Sequence, residues 1–342
     1  MDLALSAGTV SLAPLSSRTV EICAVYSKPF TGGIFEGHVW ISPRTSDSSA
    51  VEIKVPIWGG LNLEDSATLA VSSGPGADFT SLEEALRLAR PGNTIVLRDS
   101  EIYSSRLVIG YNEEGLPLNG LTIRAGEGAF PVVDAGNPAS GAVISIENVD
   151  RVTIEGLYVR GGLQGIRFNN ASGSVIDTIV ESNPESSTGY GISATNSRIN
   201  LYGDTIRRTG GSGIALFSSD ALLQQSKVGG PQPWEANGGH GIYISLGSNV
   251  GAFDNQISNS GNYSDSQGIR ISSAAAILKG NSITDSKGKL GDGVLIRGAL
   301  AEVLAVDNAV ASNERSGFSL FDRANVSLNG NEISNNRESG LF

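Results

Sequence analysis

A glycine followed by an aliphatic or aromatic residue that opens a short alternating run recurs at Gly141, Gly165, Gly191, Gly213, Gly241, Gly268, Gly293, Gly317 and Gly340, with spacings of 24, 26, 22, 28, 27, 25, 24 and 23 residues. A period of this size with one strand at a fixed phase is the signature of a solenoid, and its irregularity places the insertions in loops. The runs include Gly191-Ile-Ser-Ala, Gly213-Ile-Ala-Leu, Gly241-Ile-Tyr-Ile, Gly268-Ile-Arg-Ile, Gly293-Val-Leu-Ile and Gly317-Phe-Ser-Leu. Alternation turns one set of side chains inward. Ile192, Ile214, Ile242, Ile269, Val294 and Phe318 are expected to form one interior column, and Ala194, Leu216, Ile244, Ile271, Ile296 and Leu320 the next.

A second landmark recurs within the repeat, from Asp204 to Ile206, Asn255 to Ile257, Asn281 to Ile283, Asn308 to Val310 and Asn331 to Ile333. Asn and Asp tolerate left-handed backbone and bond their own turn, so a stacked column of them suits a tight corner between strands. Stacked side chains of this kind also satisfy one another. Three short strands per repeat, with no helical period of similar length, specify an all-β fold: a right-handed parallel β-helix of eight to eleven coils, a rod about 40–50 Å long. The 44 glycines fit this pattern of turns better than disorder, because the apolar fraction is 39%.

One helix is expected, Thr80 to Ala89. Ser81 and Glu84 form a capping box, Leu82, Ala85, Leu86 and Ala89 an apolar stripe, and Pro91-Gly92 stops it. It is expected to cap the N-terminal end of the solenoid, where the first coil otherwise exposes its interior and its strand edges. The run from Leu69 to Leu86, then Pro91-Gly-Asn-Thr-Ile-Val-Leu and Glu101-Ile-Tyr, resembles the opening of pectin-lyase-like β-helix proteins, a group that includes pectinesterases and polysaccharide lyases. The resemblance covers residues 68–342 and implies the fold more strongly than any one chemistry. Residues 61–67 read as a linker. Residues 1–60 alternate differently, with Thr9 to Leu12, Thr19 to Tyr26, Phe35 to Ser42 and Val51 to Trp58 as antiparallel strands. They resemble part of an immunoglobulin-like or fibronectin-like module, a small β-sandwich-like segment. Gly340-Leu-Phe342 opens a new inner strand, and the expectation is a segment of a longer polypeptide with further domains.

In the pectin-lyase-like families the sheet following the longest loops forms the floor of the substrate groove. The matching strands here are the Gly-Ile ones. Outward positions before each glycine are Gln164, Tyr190, Ser212, His240, Gln267, Asp292 and Ser316; two residues after it come Arg167, Ser193, Ala215, Tyr243, Arg270, Leu295 and Ser319. Most are bland. His240, Tyr243, Gln267, Arg270 and Asp292 form one distinctive patch, with Trp234 and Glu235 in the loop above and Arg297 as a further candidate contact. The patch has the parts for removing the proton α to a uronate carboxylate: His240 as base, Tyr243 as the acid at the leaving oxygen, Arg270 against the developing negative charge. Trp234 is placed to stack on a sugar ring. The same residue types are also ordinary for a solvated sheet, and the structural reading stands beside the catalytic one.

Gly239-His-Gly, followed one coil later by Gly268-Ile-Arg-Ile, resembles two polygalacturonase motifs. Where that family carries its acidic residues on the two preceding coils, this chain has Tyr190 and Gly211-Ser212. Glycoside hydrolysis needs a pair of carboxyl groups, so a lyase is the better expectation if the chain is an enzyme. Glu235 and Asp292 form an alternative carboxylate pair. Asp254, Asp265 and Asp292 are scattered candidates for Ca²⁺, without ligand spacing.

Charge narrows the partners. With 24 Lys+Arg against 35 Asp+Glu, a net charge of −11 and no basic cluster, nucleic acid is not expected. No apolar run has the roughly 18 residues that span a bilayer, and residues 1–7 lack a basic leader, so membrane insertion is not expected and any export signal is expected upstream or already removed. The single Cys23 excludes an intrachain disulfide. Two functions fit: a secreted, periplasmic or cell-surface β-helix acting on an acidic polysaccharide, or a non-catalytic glycan-binding or adhesin-like module.

Overall fold

The computed structural model describes four strands within residues 2–60 and residues 67–342 except 137–140, 183–185, 231, 259, 262–265 and 289. The chain divides into two units, Met1–Asp65 and Ser66–Phe342. In the first, Asp2–Leu5 pairs antiparallel with Ile22–Val25, and Ile34–Ile41 with Ile53–Gly60. Three of these strands overlap expected ones; Asp2–Leu5 was not foreseen. The expected strand from Thr9 to Leu12 lies outside the described residues.

The second unit is a parallel β-solenoid of about ten turns, built from three sheets of nine, eleven and ten strands. A representative coil runs through Ile242–Ser245 in the first sheet, Asn249–Phe253 in the second and Gln256–Ser258 in the third. Each strand pairs in parallel with its equivalent one coil on, so Ile214, Ile242 and Ile269 lie in one register, as do Leu216, Ile244 and Ile271. Both interior columns are buried; only Leu320, in the last coil, is partly exposed. Full burial of each such aliphatic side chain contributes about 1.5–3 kcal/mol, repeated coil after coil.

From Gly165 to Gly317 the repeating glycines follow from close approach rather than from turning. A Cβ on Gly241 would lie 2.5 Å from both the Gly268 carbonyl oxygen and Ile257 Cγ2. Even one methyl group would wedge successive coils apart.

The Asn column sits at the corner between the second and third sheets. The backbone N–H of Asn255 donates to Asn281 Oδ1, Asn281 to Asn308 and Asn308 to Asn331, each at 3.0 Å. The side-chain amides run along the same stack and also donate inward, to the carbonyls of Leu223, Ala252, Leu278 and Ala305. The left-handed backbone belongs instead to the residue just ahead of each rung: Asp177, Gly203, Gln225, Asp254, Gly280, Asp307 and Gly330. The rung side chain itself points inward, where it satisfies backbone groups that no water can reach. The other two corners have their own stacks, Ser197–Ser219–Ser248 on one and Asn313–Asn336 on the other.

A helix spans Leu82–Leu88, shorter than expected. Ser81 Oγ accepts the Glu84 N–H, and Leu82, Ala85, Leu86 and Ala89 are buried in the same apolar core as Val71 and Ile95. Ser81 Oγ–H bonds Glu83, a local bond outside the expected box.

Candidate functional site

The outer face of the first sheet carries columns of side chains whose successive members lie one coil apart. Register places Ala215, Tyr243, Arg270 and Leu295 in one column and Phe217, Ser245, Ser272 and Arg297 in the next. The Gly-His-Gly turn places His240 at the entrance to its strand, directly before the next coil's Gln267.

The Gln267 backbone N–H donates to His240 Nδ1 at 3.2 Å, and an Arg270 Nη lies 3.5 Å from Nε2. Burial, reinforced by the Arg270 charge, pushes the imidazole down to about 3. The ring is therefore neutral, and an acceptor at Nδ1 leaves the proton on Nε2. His240 ring packs on Tyr243 at 5.4 Å between centroids; the Arg270 guanidinium lies over the Tyr243 ring at 5.5 Å. Among the described residues Arg270 has no carboxylate within ion-pair distance, and its Nε has no hydrogen-bond partner. A partly buried guanidinium without a carboxylate beside it retains the charge and the planar donors that an anion can bind.

Phe217 meets Tyr243 edge-on, with centroids 5.7 Å apart, and Tyr190 follows at 6.1 Å from Phe217. Burial raises the Tyr190 phenol above its usual range, with the nearby Tyr243 hydroxyl adding to it. These two rings extend the site over the preceding coils. The sequence pattern contained Phe217, four residues after Gly213, but only the first two outward columns were read as candidates. Tyr190 lies in one of them, among the positions that the sequence pattern does not set apart.

The other candidates have different partners. Gln267 is buried, its amide donating to the Leu290 carbonyl at 2.8 Å, and its Oε1 has no hydrogen-bond partner among the described residues. Asp292 is fully buried: it accepts from the Ser316 N–H, from Ser319 Oγ at 2.8 Å and from Arg315, and burial raises its pKa. Glu235 accepts from Arg207 at 2.7 Å, and Arg207 in turn bonds Glu181. Asp292 and Glu235 thus bond side chains of neighbouring coils. Trp234 is 64% exposed on the turn Pro233–Glu235. Arg297 is half-exposed, 3.9 Å from Asp322. The structure brings together His240, Tyr243, Gln267 and Arg270.

Among the described residues no three His, Cys, Asp or Glu side chains cluster as a metal site. Asp254 occupies a left-handed corner, Asp292 is enclosed, and Asp265 lies outside the described residues. No described helix is long and apolar enough to cross a membrane.

Residues 234–342 match the family model described as "Right handed beta helix region". Among solved structures, alginate lyase from Paenibacillus sp. str. FPU-7 is similar with a TM-score of 0.54 and 17% identity, over 80% of this chain and 98% of that one. The solenoid has the right-handed parallel β-helix fold. The DFA-IIIase from Arthrobacter chlorophenolicus A6 in complex with GF2 matches this β-helix at a TM-score of 0.49 and 16% identity, over 74% of this chain and 72% of that one. Pectate lyase Pel9A matches at 0.44 and 13%, over 78% and 79%. At such identities the likeness concerns the fold. No curated protein matches the chain in sequence.

Proposed function

We propose that this β-helix acts on an acidic extracellular polysaccharide held along the outer face of its first sheet. The observation that carries the reading is the guanidinium of Arg270, which among the described residues has no carboxylate partner, flanked by Nε2–H of His240 and set against Tyr243. Together these donors suit a uronate carboxylate. Phe217 and Tyr190 continue an apolar floor whose spacing suits sugar rings, and exposed Trp234 is a further stacking surface. The net charge of −11 opposes a polyanion at long range, but salt screens that repulsion beyond about 8–10 Å and local donors then decide. The alginate and pectate lyases among the similar structures support the same substrate class.

The catalytic form of this reading is β-elimination. The C5–H bond breaks, its electrons form the C4=C5 double bond, and the C4–O4 bond breaks as a proton reaches O4. Arg270 and His240 Nε2–H would stabilise the enolate-like carboxylate, which moves His240 from base to donor. The Tyr243 hydroxyl oxygen takes the C5 proton as its own O–H proton passes to O4, so that the phenol ends the step as it began it. A second reading, a glycan-binding module without turnover, is favoured by the blocked Nδ1 of His240 and by the internal engagement of Asp292 and Glu235. In either case we place the protein in the secreted, periplasmic or cell-surface space, with residues 1–60 as an immunoglobulin-like link to further domains and the Leu82–Leu88 helix as the cap of the first coil.

The test is incubation with a panel of acidic and neutral polysaccharides, with and without Ca²⁺, following unsaturated-uronate absorbance, new reducing ends and binding. Absorbance lost in Arg270→Ala and Tyr243→Phe establishes the lyase. Binding without cleavage, lost in Arg270→Ala, establishes the module. Equal behaviour on neutral and acidic polymers removes the carboxylate assignment.

A further inference from the structure

The Asn stack contains one rung with a different chemistry. Asp204 occupies the same corner position as Asn255, Asn281, Asn308 and Asn331, and it is fully buried. Its Oδ1 accepts the Thr178 N–H at 2.9 Å, and its own N–H donates to Ser226 Oγ at 3.2 Å. Its Oδ2 has no hydrogen-bond partner among the described residues. In every asparagine rung the atom in that place is a donor. Asn255, Asn281, Asn308 and Asn331 direct Nδ2 to the carbonyl three residues ahead of the previous rung: Leu223, Ala252, Leu278 and Ala305. By the same register the acceptor facing Asp204 is the Val175 carbonyl, three residues ahead of Thr178. A carboxylate oxygen against a carbonyl oxygen is repulsive, whereas a carboxylic acid restores the donor that the stack needs.

The charged surroundings offer no relief. Thr178 and Ser226, the rungs on either side, are neutral, and among the described residues no cation pairs with Asp204. The charge that acts on it is the carboxylate of Asp177, which like burial disfavours ionisation; the amides of Thr178 and Tyr202 offset part of that cost.

We propose that Asp204 is carried in the folded chain as the neutral acid, its Oδ2–H donating to the Val175 carbonyl, and that deprotonation turns this rung into a buried, unpaired carboxylate that weakens the coils it joins. The device is a pH-sensitive joint within the β-helix. Its folded pKa, raised to about 7 from 3.8, fixes the sign. Between these values the folded chain holds a proton that the unfolded chain has released, so stability falls as pH rises from about 4 to 7 and then levels off.

The experiment compares unfolding of the whole chain with Asp204→Asn and Asp204→Ser from pH 4 to pH 8, the serine copying the neighbouring Ser226. The stabilising effect of either substitution relative to wild type is expected to grow with pH, by up to about a thousandfold in the folding equilibrium constant across that range. Asp292, whose pKa is raised as well, is present in all three proteins and cancels. The Asp204 carboxyl ¹³C resonance is expected to titrate near pH 7. A difference between wild type and both variants that does not change with pH, or a carboxyl resonance that titrates near its ordinary value, overturns the proposal.

Discussion

The backbone amide of Gln267 donates to Nδ1 of His240 from the next coil, at 3.2 Å, and so determines which face of the imidazole meets solvent chemistry. Protonating the ring would turn that acceptor into a donor against a donor, beside the positive Arg270. His240 is therefore expected to remain neutral down to about pH 3. Its folded pKa lies below the unfolded value, so its contribution to stability is present above about pH 6.5 and is lost as pH falls towards 3. Imidazole resonances followed by NMR from pH 4 to pH 8 check this. A His240 ring that titrates near 6.5 would remove the donor role assigned to it.

The Asn281 rung satisfies groups on both neighbours. Its amide donates to Asn308 Oδ1 and the Ala252 carbonyl at 2.9 Å, and its Oδ1 receives the N–H and side-chain amide of Asn255. Asn281→Leu strands buried donors and is expected to cost about 3 kcal/mol or more, since each unsatisfied buried group costs about 1–3 kcal/mol. Urea unfolding measures it, and a loss below about 1 kcal/mol would mean that the stack is redundant.

The repeat, the sheet order and the interior columns were legible in the sequence because each coil must present the same apolar positions to its neighbours, and a period of 22–28 residues records that demand. The Asn corner was legible for the same reason. What it concealed was the division of labour within the corner, where Asp254 takes the left-handed backbone and Asn255 turns inward. The patch was only partly legible. Columns follow from periodicity, so His240, Tyr243 and Arg270 came together as expected. Side-chain partners do not follow from it: the pairing of Glu235 with Arg207 depends on the path of the loop from Gly229 to His240, and the enclosure of Asp292 depends on Arg315 and Ser319 from the next coil.

Gly241 and Gly247 separate two reasons for glycine. Gly241→Ala places a methyl group 2.5 Å from the Gly268 carbonyl oxygen, and overpacking of this kind costs about 1–3 kcal/mol. Gly247 has a φ of +74° and open space around its Cβ position, so Gly247→Ala is expected to cost about 1–2 kcal/mol of backbone strain alone. Substitution by Leu distinguishes them. Gly241→Leu is expected to unfold the coil, whereas Gly247→Leu stays close to Gly247→Ala in urea titrations.

Glu235 and Arg270 are expected to separate stability from recognition. Glu235 is buried and holds Arg207, which also ties Glu181 on the preceding coil. Removing one partner of a buried pair leaves the other uncompensated, so Glu235→Ala is expected to cost about 3 kcal/mol of stability while leaving polysaccharide affinity within about twofold. Arg270 has no carboxylate partner among the described residues, so Arg270→Ala is expected to leave the unfolding midpoint nearly unchanged and to weaken binding of acidic chains at least tenfold, which corresponds to about 1.4 kcal/mol. Arg270→Lys retains the charge but not the planar fork, and is expected to fall between the two. Phe217→Ala is expected to weaken acidic and neutral chains alike, by about two- to tenfold, because stacking is indifferent to the carboxylate. Calorimetric titration of one acidic and one neutral oligosaccharide against the four variants reads the affinities, and urea unfolding of the same variants reads the stabilities. An Arg270→Ala protein that binds the acidic chain as tightly as the wild type would move the recognition site off this face of the first sheet.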